Sequence, residues 1–391
     1  MRAITTLLLQ RLAEPRRYIQ VVSGPRQVGK TTAVLALESE LSVPFYYHSA
    51  DMPAMPQAVW IAHHWEEARL AAKKNPGTIL VLDEIQKIPG WADWVKRLWD
   101  EDTRAKLSLQ IVLLGSAPLL MQQGLTESLA GRFELIPATH WSYTEMRDTF
   151  GFKLDDYIFF GGYPGAAALY HDESRWRQYA NDSLIEPTLS KDILLLQRID
   201  KPALLRQLFF VAASYSGQVM SFTKILGQLQ DAGNVTTLAH YLKLLESAGI
   251  LMGIPKWSLN VLRQRNSVLK MQVLNNALMS ATTHETKEQI QSTPEKWGRW
   301  VESAVGAHLA NECRKLKANL HYWREGNAEV DYVVSKGKVL LAIEVKSSVF
   351  EGQHAGLAKF KKLAPRATTL IVNDPSLSLE DFFKTPLETW L

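Results

Sequence analysis

The stretch 18–31, YIQVVSGPRQVGKT, constrains the fold of this chain more than any other. Tyr18–Ser23 is an apolar run that reads as a buried strand, and a helical pattern follows through Leu41. Between them Gly24-Pro25-Arg26-Gln27-Val28-Gly29-Lys30-Thr31 fits G-x-x-x-x-G-K-[ST] in the strand–loop–helix setting that a phosphate-binding loop needs. Gly24 and Gly29 let the backbone turn its N–H groups toward a phosphate, and the positive end of the helix adds to that cradle. Lys30 is placed for the β and γ phosphates of ATP. The Thr31 hydroxyl is placed for Mg²⁺, and Thr32 closes the segment. The expected class is α/β.

A second segment completes such a site. Thr78–Ile85 reads TILVLDEI, an apolar strand that ends in two carboxylates. Asp83 is positioned to meet the magnesium and Glu84 to polarise an attacking water; the plainer alternative is an acidic pair that opens a loop. Gln110–Ser116 is a third buried strand with a polar tip. Ser116 either senses the γ-phosphate or caps the helix that begins near Pro118. Arg132, beside a glycine in SLAGRF, is either an arginine finger acting across a subunit interface or a surface ion-pair partner. Trp91, Trp94, Val95, Leu98 and Trp99 repeat at helical spacing and read as core.

Length and composition bound the rest. A chain of 391 residues implies two to four domains. With 46% hydrophobic and 21% charged residues it has the make-up of a soluble globular protein. No apolar run approaches the ~20 residues needed to cross a bilayer, so no membrane partner is expected. Ile4–Leu9 is followed by Arg11, Arg16 and Arg17 and reads as an amphipathic first helix. Cys313 is the single cysteine, which excludes an internal disulfide and fits a cytoplasmic location. A net charge of +4 permits nucleic-acid binding without requiring it.

Beyond residue 150 the patterns change. Asp155–Gly165 (DDYIFFGGYPG) marks a sharp turn between helices, and Gln178–Ile193 continues a helical segment. Leu204–Ser214, Phe222–Gln230 and Thr236–Ser247 read as three helices ahead of a hairpin that starts at Gly249–Pro255, a winged helix-turn-helix arrangement. The third helix offers Lys243 and His240 but also Glu246; Lys256, Arg263, Arg265 and Lys270 would suit a wing touching phosphates, or simply a solvated face. Near the C-terminus Ala328–Val334 and Val339–Val345 form a hairpin around a Ser-Lys-Gly-Lys turn. Asp331 sits on its first strand; Glu344 and Lys346, two apart, share a face of the second. The amphipathic helix Gly298–Ala310 can bring Glu302 to the same spot. Two carboxylates can hold Mg²⁺ on a scissile phosphate while a lysine orients water, which is the constellation of the PD-(D/E)xK nucleases.

GPRQVGKTT, LDEIQKIPGWADWVKRLWD, LLGSAPLL and SLAGRFELIPATHWSYTEM together resemble the AAA-type, archaeal-ATPase-like P-loop ATPases that carry an appended C-terminal domain of unknown function, DUF4143. The resemblance spans nearly the whole chain. It implies a five-stranded parallel AAA+ sheet with helices on both faces (1–150), a helical lid (151–202), a winged helix-turn-helix (203–262) and a restriction-endonuclease-like α/β domain (263–391). It also singles out Asn275-Asn276, where relatives usually carry an aspartate. The expected activity is Mg-dependent ATP hydrolysis coupled to branched or damaged DNA by a homo-oligomer. The competing expectation is an ATP-gated regulatory switch whose nuclease-like domain does not cleave.

Overall fold

The computed structural model describes residues 2–52, 57–116, 118–194, 199–229, 234–259, 268–347 and 355–391. They divide into two compact units, Met1–Ala138 and Thr139–Leu391.

The first unit is a parallel sheet of β1 (Ile19–Ser23), β2 (Phe45–Ser49), β3 (Thr78–Asp83), β4 (Leu109–Gly115) and β5 (Phe133–Pro137), in the order β2-β3-β4-β1-β5. Strands β3 and β4 are buried along their entire length. That is why both read as unbroken apolar runs rather than alternating ones. One face of the sheet packs on α3 (Ala58–Lys74) and α4 (Trp91–Arg104), with Ile61, Trp65, Val95 and Leu98 against Leu80 and Ile111. The other packs on α1 (Ala3–Ala13) and α2 (Lys30–Leu35), with Leu8 and Val34 against Val81 and Val112. The tryptophan stripe is core as expected: Trp91, Val95, Leu98 and Trp99 are buried, and Trp94 packs against them. The helix after the phosphate-loop segment is shorter than its pattern, ending at Leu35 before a 3₁₀ turn over Glu38–Glu40.

In the second unit, helices Pro202–Ser214, Phe222–Leu226 and Val235–Ser247 accompany an antiparallel sheet of β6 (Val219–Met220, between the first two helices), β7 (Leu251–Ile254) and β8 (Leu269–Val273). Arg263 and Arg265, named for a wing, lie outside the described residues. Lys270 does not face solvent: it is fully buried on β8. A charged side chain in a basic run can be read as solvated only while its neighbours in space are unknown.

A second sheet runs β12-β11-β10-β9, from β9 (Asn319–Glu325), β10 (Ala328–Lys336), β11 (Val339–Val345) and β12 (Thr368–Val372). The 23-residue helix Pro294–Leu316, starting earlier and ending later than its apolar pattern, packs on both sheets. Close packing is possible because Gly306 has no side chain; a Cβ there would sit 2.1 Å from Gln272 Oε1 and 2.3 Å from the Tyr332 hydroxyl. Among the described residues no helix is long and apolar enough to cross a membrane.

Candidate functional sites

In the parallel sheet, the carboxyl ends of β1, β3 and β4 bring three sequence segments together. Gly29 adopts φ 76° as it enters α2, a left-handed conformation that glycine takes freely. A Cβ on Gly24 would lie 1.9 Å from the Ala138 carbonyl oxygen, so the loop start admits no side chain. Lys30 is buried, and its Nζ donates to the Gly24 and Pro25 carbonyls at 3.0 and 2.6 Å. Pro25 and Val28 are buried, Arg26 and Gln27 half-buried, and Thr32 exposed on the first turn of α2.

The Thr31 hydroxyl donates to Asp83 Oδ2 at 2.8 Å, which joins the two segments directly. Tyr47, on β2, donates to the same oxygen at 2.7 Å. Burial, and then the bond to Asp83, push the Tyr47 hydroxyl well above its ordinary pKa, so it stays a donor. The Glu84 N–H donates to Asp83 Oδ1 at 2.8 Å, and Glu84 itself is left-handed at φ 53°. For a non-glycine residue that costs ~1–2 kcal/mol. Its carboxylate is held by the Ser116 hydroxyl at 2.9 Å and the Gln86 amide at 2.6 Å. Ser116 therefore touches Glu84 directly. Sequence reasoning missed Tyr47 and Gln86. The family-like stretch after Asp83 contained Gln86, whereas nothing local marked Tyr47.

Thr31 and Asp83 suit a magnesium ion: a hydroxyl and a carboxylate oxygen meet beside the phosphate loop, and hard oxygen donors are what that ion takes. Arg132 is elsewhere. It precedes β5, whose first residue pairs with Ile19 at the amino end of β1, the sheet edge opposite the loop. There it makes a two-pronged pair with Asp100 on α4, at 2.8 and 3.0 Å. That pair holds the Asp100 carboxyl below its usual range.

The second unit collects the other predicted residues. Tyr332 pairs with Ile343, so Asp331 and Glu344 are the next cross-strand neighbours on β10 and β11. Between Val330 and Val333 the ladder to β9 slips. Such a bulge re-aims the side chains within it, here Asp331 and Tyr332. Asp331 Oδ2 accepts from the Val345 N–H at 2.8 Å, and Lys346 Nζ donates to Glu344 Oε1 at 2.9 Å. Glu344 Oε2 is buried and makes no hydrogen bond. Burial, and then the nearby Asp331 charge, push the Glu344 carboxyl up to about 7. A buried, unpartnered oxygen beside a second carboxylate fits a divalent ion, and Asp331 and Glu344 are the residues that would hold it.

Glu302 arrives on its helix as expected but is already engaged. Lys270 Nζ lies 2.5 Å from its Oε1, donates to the Asp331 carbonyl at 3.0 Å, and sits 4.3 Å from the Tyr332 ring centre. Burial alone would lower the Lys270 pKa, but Glu302 and Asp331 outweigh it and the net shift is upward. Burial also pushes Glu302 up to about 7, against the pull of Lys270. Lys270 is thus a fifth member of the cluster, recruited from β8.

Asn275 and Asn276 are bonded to groups outside the carboxylate cluster. Asn275 Oδ1 accepts from Gly162 and Ala277, both at 3.1 Å. Asn276 bridges the Ile158 and Trp300 carbonyls and accepts from Ser303 at 2.8 Å, next to Glu302. A cavity of about 660 Å³ in this unit, lined in part by Glu246, Trp257, Arg314 and His321, contains none of the predicted site residues.

Residues 16–147 match the family described as an AAA domain. Residues 151–289 and 297–384 match two domains of unknown function, DUF8612 and DUF4143. Among solved structures, the Walker-type ATPase of Pyrococcus abyssi is 12% identical, covering 71% of this chain and 94% of that one, with a TM-score of 0.49. Aeropyrum pernix Orc1, solved in complex with DNA, is 14% identical over 72% and 92%, with a TM-score of 0.33. The Thermotoga maritima RuvB Holliday junction branch migration motor is 18% identical over 64% and 87%, with a TM-score of 0.35. No curated protein matches the chain.

Proposed function

We propose that this chain, whose residues 16–147 match the AAA domain family and whose residues 297–384 match DUF4143, binds and hydrolyses ATP to act on DNA. The observation that carries the DNA assignment is the second cluster. Asp331 and Glu344 stand side by side across a ladder, with Lys346 bonded to Glu344 and one carboxylate oxygen unpartnered. That donor set suits a metal-bound phosphodiester.

In the nucleotide site, the loop amides and Lys30 bind the phosphates. Thr31 and Asp83 hold Mg²⁺, which supplies charge neutralisation on the β and γ phosphate oxygens. Glu84 accepts the proton of the attacking water, and Ser116 keeps its carboxylate oriented. Arg132 serves the site of a neighbouring subunit in a homo-oligomer, for which it must leave Asp100. In the second unit, the helices and sheet over 202–273 form a winged helix that touches DNA backbone through the exposed Lys243 and His240. Asp331 and Glu344 take the metal, Lys346 orients water, and Glu302 stays with Lys270.

The test is ATP turnover with and without double-stranded, single-stranded and four-way-junction DNA, beside Lys30→Ala. Stimulation by one DNA form, and magnesium-dependent cutting lost in Asp331→Ala, is the expected result. No stimulation and no cutting of any form would overturn it. One observation favours the ATP-gated switch instead. Both oxygen-activating and phosphate-binding groups are tied up, Glu84 by Ser116 and Gln86, and Lys30 by loop carbonyls. A slow, Lys30-dependent, DNA-independent rate is what that reading requires.

A further inference from the structure

Away from the nucleotide site, the edge strand β2 and helix α3 bring His48, His64 and Glu67 together. One ligand atom from each lies within 4.8 Å of the others. We propose that these three side chains form a binding site for one zinc-class divalent ion, linking the edge of the parallel sheet to its covering helix.

The distances carry the argument. His48 Nε2 and His64 Nδ1 lie 3.4 and 3.5 Å from the same oxygen, Glu67 Oε2. Ligand bonds of 2.0–2.2 Å at tetrahedral angles put neighbouring donor atoms about 3.4 Å apart. Both nitrogen–oxygen spacings are therefore those of atoms sharing a small ion. His48 Nε2 is also buried and makes no hydrogen bond. An ion between them gives that nitrogen a partner.

The donor chemistry agrees. Two imidazoles and a carboxylate are borderline ligands, suited to zinc and its neighbours and poorly to calcium. Three protein ligands leave a position for water. His64 and Glu67 are one helical turn apart and share a face. Trp60 meets His64 edge-on at 4.6 Å and fixes one side of the pocket. The two imidazoles stack at 3.6 Å with a 19° tilt, so the rings must fan apart for both lone pairs to meet one ion. Glu67 is half-exposed and can follow them.

The site has a structural consequence. His48 adjoins Tyr47, whose hydroxyl holds Asp83, so an ion pinning β2 to α3 also steadies that support.

The experiment is cobalt titration of the untagged, chelator-stripped 391-residue chain without nucleotide, in an Asp331→Ala, Glu344→Ala background; this removes the carboxylate cluster and leaves Thr31 and Asp83 offering oxygen donors only. The expected result is one equivalent of Co²⁺ with the intense visible bands of a four- or five-coordinate ion, displaced by one equivalent of Zn²⁺. Affinity should fall at least tenfold in His64→Gln and, separately, in the mild Glu67→Gln. Binding of a fluorescent ATP analogue serves as the folding check for each variant. Absence of those bands, or bands unchanged in both variants, would overturn the proposal.

Discussion

The nucleotide site and the carboxylate cluster are both built at sheets, yet they handle charge in opposite ways. At the parallel sheet, the charged groups Lys30, Asp83 and Glu84 are held by neutral partners: carbonyls, hydroxyls and an amide. Each of these bonds has a charge on one side only and is worth about 1.5–3 kcal/mol net. In the second unit the groups are charged on both sides: Lys270 on Glu302, Lys346 on Glu344, and Asp331 facing Glu344. Half-buried carboxylates set close together are kept there by the counter-charges of two lysines.

The largest test of that contrast is Lys30→Ala. It should lower ATP turnover by about a hundredfold or more, since a preorganised donor to transferring charge is worth ~10²–10³. Manganese binding by the second unit, followed by calorimetry, should be unchanged. A parallel loss of both would mean that the two sites are not independent.

Next comes Lys270→Met. Leaving the half-buried Glu302 unpaired should destabilise the second unit, by less than the ~3–5 kcal/mol of a fully buried pair, read from the urea midpoint. Lys270→Met with Glu302→Leu should recover most of it. If the single variant is neutral, the pair is not buried as the structure has it.

Acid sharpens the comparison further. His308 is buried between Phe382 and Phe383, and burial lowers its pKa to about 4. Its folded pKa lies below the unfolded value near 6.5. The neutral form it requires is free above pH 6.5, and stability is lost as pH falls from there toward 4. The loss is about 3 kcal/mol on the order-of-magnitude scale of 1.36 kcal/mol per unit. His308→Leu should flatten the pH dependence of the second unit's melting temperature over that range. A slope unchanged by the substitution would remove His308 as the cause.

Smaller effects separate the finer roles at the nucleotide site. Tyr47→Phe removes one donor from Asp83 and should raise the magnesium needed for half-maximal turnover by a few-fold, about 1 kcal/mol. Arg132→Ala should shift stability by at most about 1 kcal/mol, because the Asp100 pair is partly exposed. Its turnover, measured in mixed oligomers with Lys30→Ala subunits, distinguishes the two readings of this arginine. Rescue by complementation is expected of a finger and not of a surface pair.

Several of these features were legible in advance for plain reasons. The strand–loop–helix over 19–35 is contiguous, so its glycine and lysine positions carry their geometry with them. The apolar runs of β3 and β4 could be read as buried strands because a parallel sheet covers both faces. The cross-strand placing of Asp331 and Glu344 followed from a hairpin register, which a period of two transmits along both strands. Helix ends were less legible: the segment after Lys30 stops at Leu35, although its apolar pattern runs on to Leu41.

What lay beyond the sequence were pairings between distant segments. Lys270 and Glu302 are 32 residues apart, Tyr47 and Asp83 36, and Arg132 and Asp100 32. Each of these contacts depends on which face of one element meets which face of another. The sequence alone determined that the chain carries a phosphate loop, an acidic strand end and a carboxylate hairpin, because each is set within one or two neighbouring elements. Only the tertiary structure decided which charges are already neutralised. A lysine's meaning turns on its burial and its nearest carboxylate, and neither is a local property of the chain.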